Sequence, residues 1–230
     1  MKVLKSLTAL TIVVFIPFAL MIWIRIHQST GFAAVELIQY PLLFGGGSII
    51  VLLLLKRYFL QESLNDFNSG EGNWKTDILW GLALTAAYFL LFIVERPLLS
   101  GVLTRVPNME MLDLMLSMRD NPVYLILFFG PVLWIGIALY EELIRVFLLT
   151  SLWKFSEKMG WMILVIVLTS ALIGLTHWSQ GSYGVVTIGI KSLVSCFFFF
   201  RYRRLLPLVI AHVLYDGIQV ALLLITYPQG

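Results

Sequence analysis

The apolar residues of this chain are not spread evenly but fall into long stretches separated by short polar segments. Seven stretches, at about 5–24, 37–55, 77–94, 123–150, 161–178, 183–200 and 205–226, each contain 17 or more residues. Coiled as a helix with a rise of ~1.5 Å per residue, each can cross the ~30 Å hydrocarbon layer of a bilayer. The pattern predicts an all-α polytopic membrane protein, a bundle of about seven to eight transmembrane helices forming one domain over 1–230. Of the connections, "LNDFNSGEGNWKTD" at 64–77 reads as a polar connector with turn-forming glycines. The segment 95–122 contains "MEMLDLMLSM", whose helical spacing predicts a short helix lying on the membrane surface.

Composition agrees with the pattern. Sixty per cent of the residues are hydrophobic, 13% are charged, and the mean hydropathy is +0.91, far outside the range of soluble globular domains. Lys2 and Lys5 ahead of the first stretch would also suit a cleaved signal peptide. Its apolar core exceeds the ~7–15 residues of a signal sequence and no small-residue cleavage site follows at once, so a retained span is expected. With the N-terminus inside, eleven basic residues (Lys2, Lys5, Lys56, Arg57, Lys75, Arg145, Lys154, Lys158, Arg201, Arg203 and Arg204) lie inside and four (Arg25, Arg96, Arg105 and Arg119) outside. Positive charge is retained on the cytoplasmic side, so the bias predicts a cytoplasmic N-terminus and an external C-terminus. The net charge of +3 is therefore a topology signal and no argument for nucleic acid. The single Cys196 carries no redox information, and the C-terminal "ITYPQG" has no lipidation motif.

Ionisable groups within the spans cost ~2.5–3.5 kcal/mol each on insertion scales, so they point to function. They are Glu141, Glu142, Arg145, His177, Lys191, His212 and Asp216. Glu141 and Arg145, four apart with the acid first, suit a helical ion pair. Glu142 points ~100° away and needs another partner. His212 and Asp216, also four apart, allow the carboxylate to fix the imidazole tautomer. A carboxylate that activates water, with imidazoles holding the water or stabilising an oxyanion, is the equipment for amide hydrolysis. Glu141, His177 and His212 also match the three-ligand set of a catalytic divalent metal such as zinc. The residues do not choose between metal-free and metal-assisted chemistry. A structural polar network and a proton relay of a transporter use the same residue types, although no inverted repeat accompanies them here.

In order and context these residues resemble the CPBP family of intramembrane proteases (CAAX proteases and bacteriocin-processing enzymes, or Abi family), whose motifs are EExxxR, FxxxH and HxxxN or HxxxD in successive transmembrane helices. "EELIRVF" from Glu141, "IGLTH" ending at His177 and "HVLYD" from His212 to Asp216 correspond to them, within a core at 123–226. Arg145 stands one position early, so Val146 fills the arginine slot when both glutamates align. Ile173 replaces the family phenylalanine, and Asp216 fills a slot that is asparagine in the prenyl proteases. The resemblance implies an intramembrane endopeptidase in a lipid bilayer, acting on a membrane-associated protein or peptide. Glutamate-activated water would attack the peptide bond, with Glu141 as the base by alignment and Glu142 close behind. His177 and His212 would position water or stabilise the oxyanion, and Asp216 would orient His212. A non-catalytic relative, such as a partner-binding or bacteriocin-immunity protein of the same fold, is the alternative. Counted at ~1.5 Å per residue, His177 lies about 24 Å along its helix from Trp161 and His212 about 10 Å from Leu205. A single site therefore requires tilted, kinked or offset helices, for which Gly174 and Pro207 leave room.

Overall fold

The computed structural model describes residues 2–27 and 33–227, and no strand occurs among the described residues. Helix α1 passes from Lys2–Leu10 through a π-helical Thr11–Phe15 into Ile16–His27. It is followed by α2 (Glu36–Phe59), α3 (Trp74–Leu99), the short α4 (Met109–Ser117) and α5 (Pro122–Trp153). Then come α6 (Met159–Leu175), α7 (Gly181–Tyr202) and α8 (Leu206–Thr226). Among the described residues, five helical segments are long and apolar enough to cross a membrane: α2, α3, α5, α8, and α7 with the 3₁₀ turn before it. Leu4–Phe15 and α6 are shorter apolar helices. The seven expected stretches thus coincide with helices, except that α6 stops before His177. The protein is an integral, multi-pass, all-α membrane protein. The tail Pro228–Gly230, part of the "ITYPQG" read above, lies outside the described residues.

The chain divides into two compact units, and α5 and α8 each contribute to both. The first contains the described parts of Met1–Leu64, Met109–Ile144 and Val213–Gly230. Its core gathers Leu37 and Ile38 of α2 with Phe128 and Val132 of α5 and Met118, just past α4. α2 and α5 meet backbone to backbone, since a Cβ on Gly45 would lie 2.2 Å from the Gly136 carbonyl oxygen. Small residues permit such close approach where lipid supplies no hydrophobic drive between helices. α5 kinks at Gly130 (φ −86°, ψ −111°), immediately before Pro131. Proline supplies no N–H to the helical ladder, and Phe128–Leu139 is π-helical around it.

The second unit contains Asn65–Asn108 and Arg145–His212. Here α6 and α7 form a hairpin, its crossing set by Gly174, where a Cβ would lie 2.4 Å from the Val185 carbonyl oxygen. α3 packs on α7 and α8. It opens with a capping box in which Asn73 Oδ1 accepts from the Lys75 and Thr76 amides and Thr76 Oγ1 accepts from the Asn73 amide. The segment at 64–77 is more than a connector, because it is tied to the turn between α7 and α8. Leu205 N–H donates to Phe67 O and Asn68 Oδ1, Gly70 N–H donates to Arg203 O, and Arg204 Nη1 donates to Gly70 O.

Candidate active site

Beyond the π-helical stretch, α5 is regular from Tyr140 to Trp153. Glu141 and Arg145 share one face of this segment, and Glu142 points about 100° away. Glu142 and Arg145 are buried, at 2% and 4% exposure, whereas Glu141 is half-buried. The segment therefore holds two carboxylates in different surroundings directly after a stretch of π-helix, a distortion that recurs at functional sites.

His177 does not lie inside a span, as expected, but in the turn beyond α6, with φ −99° and ψ 20°. Gly181 closes this turn at φ +82°, a conformation open to glycine, and a Cβ there would also lie 2.3 Å from the Thr104 carbonyl oxygen. His177 Nδ1 lies 3.0 Å from Ile173 O, with Thr176 Oγ1 at 3.1 Å. A carbonyl only accepts, so Nδ1 carries the proton in that bond and the neutral ring presents its lone pair at Nε2. The turn is strapped by Thr104–Val106: Val106 N–H donates to Gln180 O, Tyr183 N–H to Thr104 O, and Thr104 N–H to Ser182 Oγ. The Arg105 guanidinium lies over the Tyr183 ring at 5.8 Å. Nothing in the pattern of 95–108 announced this strap, since its partners are a carbonyl, an amide and a serine hydroxyl 74–79 positions away.

His212 and Asp216 lie on one face of α8, each half-buried, with the buried Tyr215 between them. α7 separates the two histidines along the chain. His177 precedes its Gly181 end, while His212 follows its Tyr202 end, one and a half helical turns into α8. Among the described residues, no three His, Cys, Asp or Glu side chains gather as metal ligands do.

Three polar contacts within the second unit escaped the sequence. Lys191 Nζ lies 2.7 Å from Glu95 Oε1, joining α7 to α3. Tyr88 Oη and Ser195 Oγ are 2.6 Å apart on the same helix pair. Arg204 grips Asp77 through Nε–Oδ1 at 2.9 Å and a second contact from Nη2 to Oδ2. Glu95 and Asp77 stand at the edges of an apolar stretch, where an acid reads as solvated, yet both are buried, at 6% and 2%.

Residues 122–218 match the family model described as Type II CAAX prenyl endopeptidase Rce1-like. The match contains all three motifs, from Glu141 to Asp216. No curated protein and no solved structure matches the chain.

Proposed function

We propose that the chain, whose residues 122–218 match the Rce1-like family model, is an intramembrane protease of the CPBP family that hydrolyses its membrane-associated substrate with a carboxylate-activated water. The family match supports an intramembrane endopeptidase in general terms. The observation that carries the finer reading is the content of the matched segment, which includes two glutamates, two histidines and an aspartate in the family's order.

In this reading Glu141 takes the proton of the attacking water and later delivers it to the leaving amine. Glu142, more deeply buried, is held beside it. His177 accepts a hydrogen bond from the water at Nε2, the nitrogen left without a proton by the Ile173 contact. His212, oriented by Asp216, donates to the oxyanion of the tetrahedral intermediate. A general base of this kind contributes ~10²–10⁴-fold in rate. The charge bias supports an N-terminus inside the cell and a C-terminus outside.

The test is cleavage of membrane-anchored reporter peptides by the purified wild type and by Glu141→Gln, Glu142→Gln and His212→Ala, each with and without a chelator. Loss of cleavage in Glu141→Gln, unaffected by chelation in the wild type, is expected. Full activity in both glutamate variants would overturn the carboxylate mechanism, and chelator-sensitive cleavage would move the chemistry to a metal.

A further inference from the structure

At the Tyr202 end of α7 the second unit forms an open recess of about 500 Å³, bounded by Trp80, Arg201, Tyr202, Arg203 and the glycines Gly70 and Gly72. Its volume is that of a small-ligand site, ~300–1,000 Å³. The floor is rigid where Gly70 presses on the turn, since a Cβ there would lie 1.8 Å from the Tyr202 carbonyl oxygen. The Trp80 and Tyr202 rings lie tilted at 38° with centroids 4.7 Å apart, so one wall is aromatic.

The three arginines of the "RYRR" turn differ in how their charge is met. Arg204 is matched by the buried Asp77, and that carboxylate holds its guanidinium above the ordinary arginine range. Arg203, in the left-handed conformation at φ 53°, stacks its guanidinium 4.3 Å from the Trp153 ring, with the Phe199 and Phe200 rings within 6 Å. Burial lowers its pKa, so its charge has lost water. Arg201 is exposed and rests 5.5 Å from the Tyr202 ring. No ion pair to Arg201 or Arg203 occurs among the described residues. Both arginines line the recess, Arg201 against Tyr202 of its wall and Arg203 with its guanidinium on Trp153, Phe199 and Phe200 just outside the lining, and Glu71 is the one acid among the lining residues. Aromatic faces attract a guanidinium but leave its full charge to be balanced.

From this we infer that the recess bounded by Arg201, Arg203, Trp80 and Tyr202 is a phosphate-binding site that holds the headgroup of an anionic phospholipid. The exposed Arg201 supplies forked donors to phosphate oxygens, Arg203 adds its positive charge at the border, and the aromatic wall suits the level of the lipid headgroups, where tryptophan and tyrosine settle. The recess lies at the end of an apolar span, where a lipid phosphate is already present at high local concentration. The site is independent of the proteolytic mechanism and stands whether or not the glutamate reading does.

The experiment is lipid retention by the full-length protein in nanodiscs of mixed phosphatidylcholine and phosphatidylglycerol, read by native mass spectrometry. The wild type is expected to retain phosphatidylglycerol selectively. Arg201→Gln/Arg203→Gln is expected to lose about thirtyfold in that preference, at about 1 kcal/mol per arginine. Lys158→Gln, remote from the recess in sequence and exposed, should leave it unchanged. Should the double variant misfold, Arg201→Gln alone, expected to lose about fivefold, carries the same test. Retention unchanged in the arginine variants, or an equal loss in Lys158→Gln, would overturn the site in favour of diffuse surface charge. Displacement of the lipid by millimolar inorganic phosphate would keep the phosphate site but overturn the lipid as its natural occupant.

Discussion

Lys191 of α7 and Glu95 of α3 form a largely buried ion pair with their charged atoms 2.7 Å apart and side-chain exposures of 15% and 6%. Removing one partner from such a pair leaves a charge stranded in a poor solvent, at about 3–5 kcal/mol, whereas replacing both by apolar residues of similar volume is nearly neutral. Lys191→Met and Glu95→Leu are therefore expected to destabilise singly and to compensate each other in the double variant. A double-mutant cycle on thermal unfolding in detergent measures this, and additive losses would show that the pair does not act as one.

The Arg204–Asp77 contact ties the first turn of α3 to the turn before α8. Asp77→Asn should weaken that tie by about 1.5–3 kcal/mol, the worth of a charged hydrogen bond. Amide exchange at Gly70 and Leu205 should accelerate about ten- to a hundredfold, with the middle of α7 unaffected. Arg204→Lys is expected to behave similarly, because an ammonium cannot reproduce the two-pronged contact of Nε and Nη2.

Gly174 has no room for a side chain against Val185 and Gly189. Gly174→Ala should cost about 1–3 kcal/mol, as overpacking does, and Gly174→Leu should prevent the α6–α7 hairpin from closing. The unfolding midpoint of the purified variants tests both, and an unchanged Gly174→Leu would contradict the packing.

The Ile173 contact assigns the proton of His177 to Nδ1. If catalysis uses Nε2, glutamine, whose amide reaches the Nε2 position, should preserve more cleavage than asparagine, whose amide reaches only Nδ1. His177→Asn is expected to lose about 10²–10⁴-fold in kcat, with His177→Gln losing less. Equal losses would remove Nε2 from the mechanism.

The helices and the on-helix relations of Glu141 with Arg145 and of His212 with Asp216 were legible because they follow from local period alone. Lys191 could be seen as an ion in an apolar span, but its partner could not, since Glu95 is 96 positions away and stands at the edge of a stretch. Asp77 and Arg204, 127 positions apart, were hidden in the same way. The kink at Gly130–Pro131 had a visible signal in the Gly-Pro pair within an apolar run. The end of α6 before His177 was obscured because "IGLTHW" continues the apolar pattern through the turn. Where backbone amides find their partners, as in the Thr104–Val106 strap, side-chain patterns carry no record.

The Glu95–Lys191 pair also constrains the order of synthesis. A ribosome adds about 5–20 residues per second, so the 96 positions between the two residues represent roughly 5–20 s of translation. α3 thus leaves the ribosome with its acid well before the lysine exists. During that interval Glu95 must remain at the headgroup level, enter the bilayer neutral, or be shielded by the insertion machinery, and α3 can settle at full depth only when α7 arrives.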